Sequence, residues 1–393
     1  MPVDKERISR IKKALVEKCL DALICRLPEN VLFLSGWWPL TGTSWVIFAG
    51  DGSYHLVVPA CEAQEAEADG ITDFSTYQWA HLKATDPVSE TQAAIGKVAK
   101  KFGIEKGTIG IEESFEAVAP PLNIGEPAVP TKVSKQILKG ALPKAHLVDA
   151  TEVINSLRVC KTKVEIEKLR IANQIAGFGL AAFKEHVKKG ISEIELAAVV
   201  DSAVAVKGSG YKGTKSARGF AQVSSAEGTE RAWRPCEITT NRELEKGDIV
   251  MLELAVVADG FWADNTRPLV VGGPNAKQQK VYSVILKAQS SAIDCIKPGV
   301  KMSDVDKAAR DIISQADYGK YFIHITGHGI GWRYHEFPPL LHPENDDLLK
   351  EGMVTTIEPG LYIPGFGGLR VEDNVAVTKD GADVLSTFSR DLI

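Results

Sequence analysis

Four stretches of the chain, 247–268, 325–331, 357–360 and 368–373, carry carboxylates and an imidazole among apolar residues or glycines. In the first, Asp259 and Gly260 join two apolar runs, and that dipeptide favours a two-residue hairpin turn. Such a turn sets Val257 opposite Trp262 and Ala255 opposite Asp264. Glu253 then shares a face with Ala255 and lies diagonal to Asp264, at a backbone separation of roughly 7–8 Å. Two carboxylates aimed at one spot on an apolar sheet repel each other and lose hydration, so they need a proton, a basic partner or a metal ion. A solvated edge hairpin would carry the same residues with no such need. The later stretches add His328, flanked by Gly327 and Gly329, then Glu358 and Glu372. Glu253, Asp264, His328, Glu358 and Glu372 make an oxygen-rich set with one imidazole. That set suits Mn, Co, Fe or Zn and differs from the Cys/His set of a structural zinc. Carboxylates bridging two ions would form a two-metal hydrolytic site.

On these residues, and over nearly the whole chain, the sequence resembles the pita-bread metallopeptidases: methionine aminopeptidase, Xaa-Pro aminopeptidase, prolidase and their relative creatinase. Asp264-Asn265-Thr266-Arg267 matches the family's second ligand in its Asp-x-Thr-Arg context, and Gly327-His328-Gly329-Ile330-Gly331 matches the His ligand. Glu358 and Glu372 match the last two ligands. The resemblance implies one or two divalent ions held by Glu253, Asp264, His328, Glu358 and Glu372. It also implies a site His at His335 that contacts the substrate, and a further one at His324. Glu358 is the proposed general base, relaying a proton to the leaving amine. Arg370 could grip a substrate carboxylate or pair with a ligand carboxylate, and the sequence leaves both open.

Two positions depart from the family pattern. Glu253 stands where the first ligand is an Asp, one methylene shorter. Cys236 stands where the family places a substrate-contacting His. The leading expectation is a metal-dependent hydrolase of the Xaa-Pro aminopeptidase and prolidase type, cleaving next to proline in small peptides. The alternatives are a creatinase-like hydrolase of a non-peptide C–N bond and a catalytically silent homologue used for binding. Arg231, Trp233 and Arg234 lie close to Cys236 and read as a basic surface loop or the wall of an altered pocket. His342 carries no motif and reads as a surface residue.

With 393 residues the chain is too long for one compact core and about right for two domains. Hydrophobic content of 44% and charged content of 25% are those of a soluble globular protein. A net charge of -5 gives no reason to expect nucleic acid or a membrane surface as partner. No apolar run approaches the roughly 20 residues that span a bilayer, and the charged start lacks a signal peptide's core. The six cysteines are scattered, which favours reduced thiols in a cytoplasm. A homodimer is implied by the resemblance alone.

The expected fold is α+β. A smaller α/β creatinase-type N-terminal domain, 1–155, precedes a pita-bread catalytic domain, 156–393. In the first, a helix over 4–19 and strands at 22–25, 44–48, 54–58 and 108–111 alternate with a helix over 88–102. Pro120, Pro121, Pro127 and Pro130 mark an irregular surface segment. In the second, Thr162 with Glu165 and Ser192 with Glu195 form capping boxes that open helices. Two further helices follow the hairpin, one over 276–296 and one opening at Ser303.

Overall fold

The computed structural model describes residues 4–39, 44–78, 86–113, 131–234 and 238–392. Two compact units divide between Arg158 and Val159. Asn155, the boundary read from sequence, falls within the helix Thr151–Val159. The proline-rich segment and Cys236 lie outside the described residues.

The first unit is built on a six-stranded mixed sheet. Its strands are β1 (Ala22–Cys25), β2 (Trp45–Ala49), β3 (Tyr54–Pro59), β4 (Phe74–Tyr77), β5 (Thr108–Ile111) and β6 (His146–Asp149), in the order β4-β3-β2-β1-β5-β6. The strands near the middle are almost wholly apolar, and Ile24, Ile47, Val57 and Ile109 pack with Ile95 and Val98 of the helix Pro87–Phe102. The stretch before Gly36 forms a helix, Pro28–Ser35, ended by Gly36 at φ 80°. The helix-starting Leu27 offers no side-chain cap. Glu112, just past β5, supplies it, accepting from the backbone N–H of Arg26 and Leu27 and from Asn30 Nδ2 at 2.5, 2.8 and 2.6 Å.

The second unit carries the hairpin. Strands β7 (Ala217–Ser225), β8 (Ile249–Ala258) and β9 (Phe261–Val270) form an antiparallel sheet in that order. The β8–β9 register pairs Val257 with Trp262, Ala255 with Asp264 and Glu253 with Thr266. Asp259 and Gly260 both have positive φ, 47° and 85°, the combination a type I′ turn requires. Along β8 the period of two is strict. Leu252, Leu254 and Val256 pack against Ile175, Leu180 and Val200 of the helices Lys163–His186 and Glu193–Gly208. Both helices open with the capping boxes read from sequence. Met251, Glu253 and Ala255 alternate to the opposite face.

The remaining strands are β10 (Gly327–Gly329), β11 (Glu336–Leu341), β12 (Val354–Ile357), β13 (Gly360–Ile363), β14 (Gly367–Arg370), β15 (Asp373–Val377) and β16 (Ala382–Val384). They form a five-stranded sheet, β11-β10-β12-β15-β16, and the ribbon β13-β14. A second helix pair, Ala276–Cys295 and Met302–Gln315, packs Ile285 and Val305 against Ile357 and Val375. The latter helix starts from Lys301 without a side-chain cap, and the Ser303 hydroxyl instead donates to Asp346. The two larger sheets are joined at the site. Asn374 of β15 accepts from the Asp264 amide at 3.0 Å and donates to its carbonyl at 2.7 Å, imitating strand pairing with a side chain.

Candidate metal centre

The hairpin carboxylates are not solvated. Asp264 is 1% exposed and Glu372 equally enclosed, while Glu253 and Glu358 are half-buried. Three overlapping groups converge: His328 with Glu358 and Glu372, Glu253 with Asp264 and Glu372, and Asp264 with His328 and His335. Within each group the possible ligand atoms lie within 4.8 Å of one another. The five residues named from the sequence therefore meet at one place, with His335 at its edge.

Each is held by its neighbours in sequence and sheet. The glycines beside His328 allow a close approach of backbones: a Cβ on Gly327 would collide with the carbonyl of Thr356, and one on Gly329 with the carbonyl of Glu336. His328 Nδ1 donates to the Gly329 carbonyl at 2.9 Å. That leaves Nε2 turned to the carboxylates, 3.7 Å from Asp264 Oδ2 and 3.6 Å from Glu358 Oε1. The Thr356 hydroxyl donates to Glu358 Oε1 at 3.1 Å. Arg267, fully buried, pairs with Asp373 and donates to the Glu372 carbonyl, both at 2.6 Å, fixing the backbone that bears Glu372.

Electrostatics single out the same point. Burial, then Glu372, raise Asp264 well above the carboxylate range. Burial, then Glu372 and Asp264, do the same for Glu358. Asp264 Oδ1 and Glu372 Oε1 are buried with no hydrogen-bond partner among the described residues. Buried acceptors without donors are costly. A divalent cation, contacted by those oxygens and by His328 Nε2, fits this donor set.

Glu253 is differently placed. Its Oε1 accepts from the Tyr334 hydroxyl at 3.0 Å, and its Oε2 lies 2.9 Å from the Thr266 hydroxyl and in contact with the Arg370 guanidinium. Thr266 also lies 2.7 Å from Glu372 Oε2 and accepts from Arg370 Nε at 3.1 Å. Arg370 further donates to the Ala232 carbonyl at 2.5 Å and to the Tyr362 hydroxyl at 2.8 Å. Arg370 thus pairs with Glu253 and shares its other donors among Thr266, Ala232 and Tyr362. A small cleft beside it is lined by Gln222, Ser224, Met251 and Arg234 together with Glu253 and Arg370.

The two site histidines differ. His335 packs its ring 4.3 Å from that of His328, and burial, then His328, hold its pKa down to about 2. Its Nδ1 is buried and has no hydrogen-bond partner among the described residues. His324 lies outside the three ligand groups. Its Nδ1 donates to the Ile325 carbonyl at 2.7 Å, and its Nε2, 3.1 Å away, accepts from the Tyr362 hydroxyl. Burial lowers it to about 4. Both ring nitrogens are engaged by protein, so His324 reaches the site through Tyr362 and Arg370. Tyr334, Thr266, Tyr362 and Asn374 were not singled out from the sequence. Thr266 alone had a signal there, its place inside Asp-x-Thr-Arg.

Comparison with known proteins agrees with this geometry. The sequence matches Metallopeptidase family M24 over residues 167–379 and the Creatinase/Prolidase N-terminal domain over residues 7–160. It is 34% identical to an Xaa-Pro dipeptidase of Pyrococcus furiosus over 99% of this chain and 100% of the relative. The solved prolidase of Pyrococcus horikoshii OT3 superposes with a TM-score of 0.77 at 29% identity, covering 99% of this chain and 100% of that one. An X-Pro aminopeptidase of Thermotoga maritima shares the fold, with a TM-score of 0.78 at 24% identity over 96% of this chain and 99% of that one. The chain therefore belongs to metallopeptidase family M24, with a creatinase/prolidase N-terminal domain ahead of its pita-bread domain.

Proposed function

We propose that this chain is a metal-dependent peptidase that cleaves the Xaa-Pro bond of small peptides, using Asp264, His328, Glu358 and Glu372, with Glu253, around one or two divalent ions. The observation that carries the reading is the pair of buried, partnerless oxygens, Asp264 Oδ1 and Glu372 Oε1, beside His328 and Glu358. The names of the relatives supply the substrate class. A divalent ion held by these residues would supply Lewis-acid polarisation of the scissile carbonyl and a more acidic attacking water. Glu358 would take a proton from the attacking water and return it to the leaving amine, with the Thr356 hydroxyl orienting its carboxylate. His335, neutral and shielded, offers a hydrogen bond to the substrate carbonyl. Tyr334 and Arg370 hold Glu253 in place. The ligand chemistry suits manganese as well as cobalt, iron or zinc. We place the protein in a cytoplasm as a homodimer. The thiols of Cys19, Cys25, Cys61, Cys160 and Cys295 are free, which accords with that compartment, and no described helix is long and apolar enough to cross a membrane.

Cys236 bears on the rate. A neutral thiol is a poor donor where the family has an imidazole, so Xaa-Pro turnover is slow. Cys236 departs from the ordinary Xaa-Pro peptidase pattern, so a second reading, hydrolysis of a non-peptide C–N bond, stays as the alternative. The test is proline release from Xaa-Pro dipeptides by manganese-loaded and chelator-stripped protein. Release that appears only with metal supports the peptidase. A metal-loaded protein that leaves all Xaa-Pro dipeptides intact but cleaves creatine points to the second reading.

A further inference from the structure

The turn that carries Tyr334 and His335 is fastened from outside the ligand set. Glu336 Oε1 accepts from the Trp332 amide at 3.0 Å, closing residues 332–336 on themselves. Glu336 Oε2 takes Lys161 Nζ at 2.5 Å, and the two side chains are 8% and 1% exposed. Lys161 is itself immobilised. Its amide donates to the Gly352 carbonyl at 2.7 Å, and the next residue, Thr162, caps the helix Lys163–His186. The fit is tight: a Cβ on Gly331 would meet Lys161 Cε at 2.6 Å. The closed turn delivers a hydroxyl to Glu253 and an imidazole against His328.

We propose that Lys161 is a positioning residue of this site. Through Glu336 it sets the depth and orientation of the turn that presents Tyr334 and His335, without touching substrate or ligand atoms. A buried lysine paired to a carboxylate, here with a longer bond to the Val159 carbonyl at 3.4 Å, adds little net stability over apolar packing, whereas it fixes one geometry. Displacing a substrate-contacting group by about 1 Å can cost roughly 10²-fold in rate. The inference rests on the peptidase reading only for its kinetic part.

The experiment uses the full chain loaded with Mn²⁺, as wild type, as Lys161→Met, and as the paired Lys161→Met with Glu336→Gln. The paired variant removes both charges, so no buried carboxylate is stranded and folding is preserved where the single change fails. Three quantities are read: kcat and KM on an Xaa-Pro dipeptide, manganese per chain, and amide hydrogen exchange across residues 331–336. The expected result is a kcat lowered roughly 10²-fold with KM little changed and manganese per chain unchanged. The Trp332 amide exchanges faster while β8, β9 and β12 stay protected. A kcat equal to wild type, or manganese lost along with activity, overturns the proposal. So does unchanged exchange across 331–336, and that measurement decides the matter even if wild type proves to cleave no Xaa-Pro dipeptide, a failure that would belong to the substrate reading.

Discussion

Glu112 in the first unit and the Asp264–Glu372 pair in the second are both buried carboxylate sites, and they differ in what meets their oxygens. Glu112 is surrounded by donors: two backbone amides and the Asn30 side chain. Asp264 and Glu372 each keep one buried oxygen without a donor among the described residues, and they face other carboxylates. Burial pushes the proton affinity of Glu112 and of Asp264 up. The difference shows how a structural carboxylate is told from a metal-binding one. The first caps a helix and completes its own hydrogen bonding. The second leaves acceptors that a cation among its oxygens would satisfy, as proposed above.

The largest expected effect falls on the second site. Glu358→Gln removes the proton acceptor and should lower kcat by roughly 10²–10⁴-fold while the melting temperature stays near that of wild type. Glu112→Gln should do the reverse, leaving kcat unchanged and altering stability. Steady-state kinetics and thermal melts on both variants would break the contrast if Glu112→Gln proved the more damaging to turnover.

Next in size is the pH response of Glu112. Its folded pKa is raised from 4.5 to about 7, chiefly by burial. The folded state thus binds the proton more tightly than the unfolded state. The resulting stabilisation is fully present below pH 4.5 and is lost as pH rises through about 7. It amounts to on the order of 3 kcal/mol. Glu112→Gln should flatten the melting temperature over that window, measured by calorimetry. An unchanged slope would show that other groups govern it.

A smaller gain is expected from Cys236→His, which restores a donor that the family places against the substrate. Xaa-Pro turnover of the metal-loaded protein should rise by up to roughly 10²-fold, since a well-placed donor is worth about that much in a transition state. No gain with metal present would favour the non-peptide substrate.

Much of this was legible in the sequence, for local reasons. Asp259-Gly260 fixed the hairpin because both residues must take positive φ, and the register that followed set Asp264 opposite Ala255. Thr162 with Glu165 and Ser192 with Glu195 announced their helices through side chains three residues apart. The ligand types stood out because carboxylates are rare among apolar runs. What stayed hidden depended on long-range contact. Glu112 and Asn30, or Lys161 and Glu336, give no signal in either partner's neighbourhood. Arg370 has several plausible acceptors within its reach, and only the packing of Tyr362, Thr266 and Ala232 around it selects Glu253. His324 came as a site residue from the family resemblance, and the phenol of Tyr362 stands between it and Arg370.

The most direct measurement is anomalous diffraction from crystals of the manganese-loaded protein. The expected result is a strong peak enclosed by Asp264, His328, Glu358 and Glu372, within bonding distance of Asp264 and Glu372 oxygens, and absent from the surroundings of Glu112. A loaded crystal with no peak there, or with manganese bound only elsewhere on the chain, would contradict the assignment of these carboxylates to a metal centre.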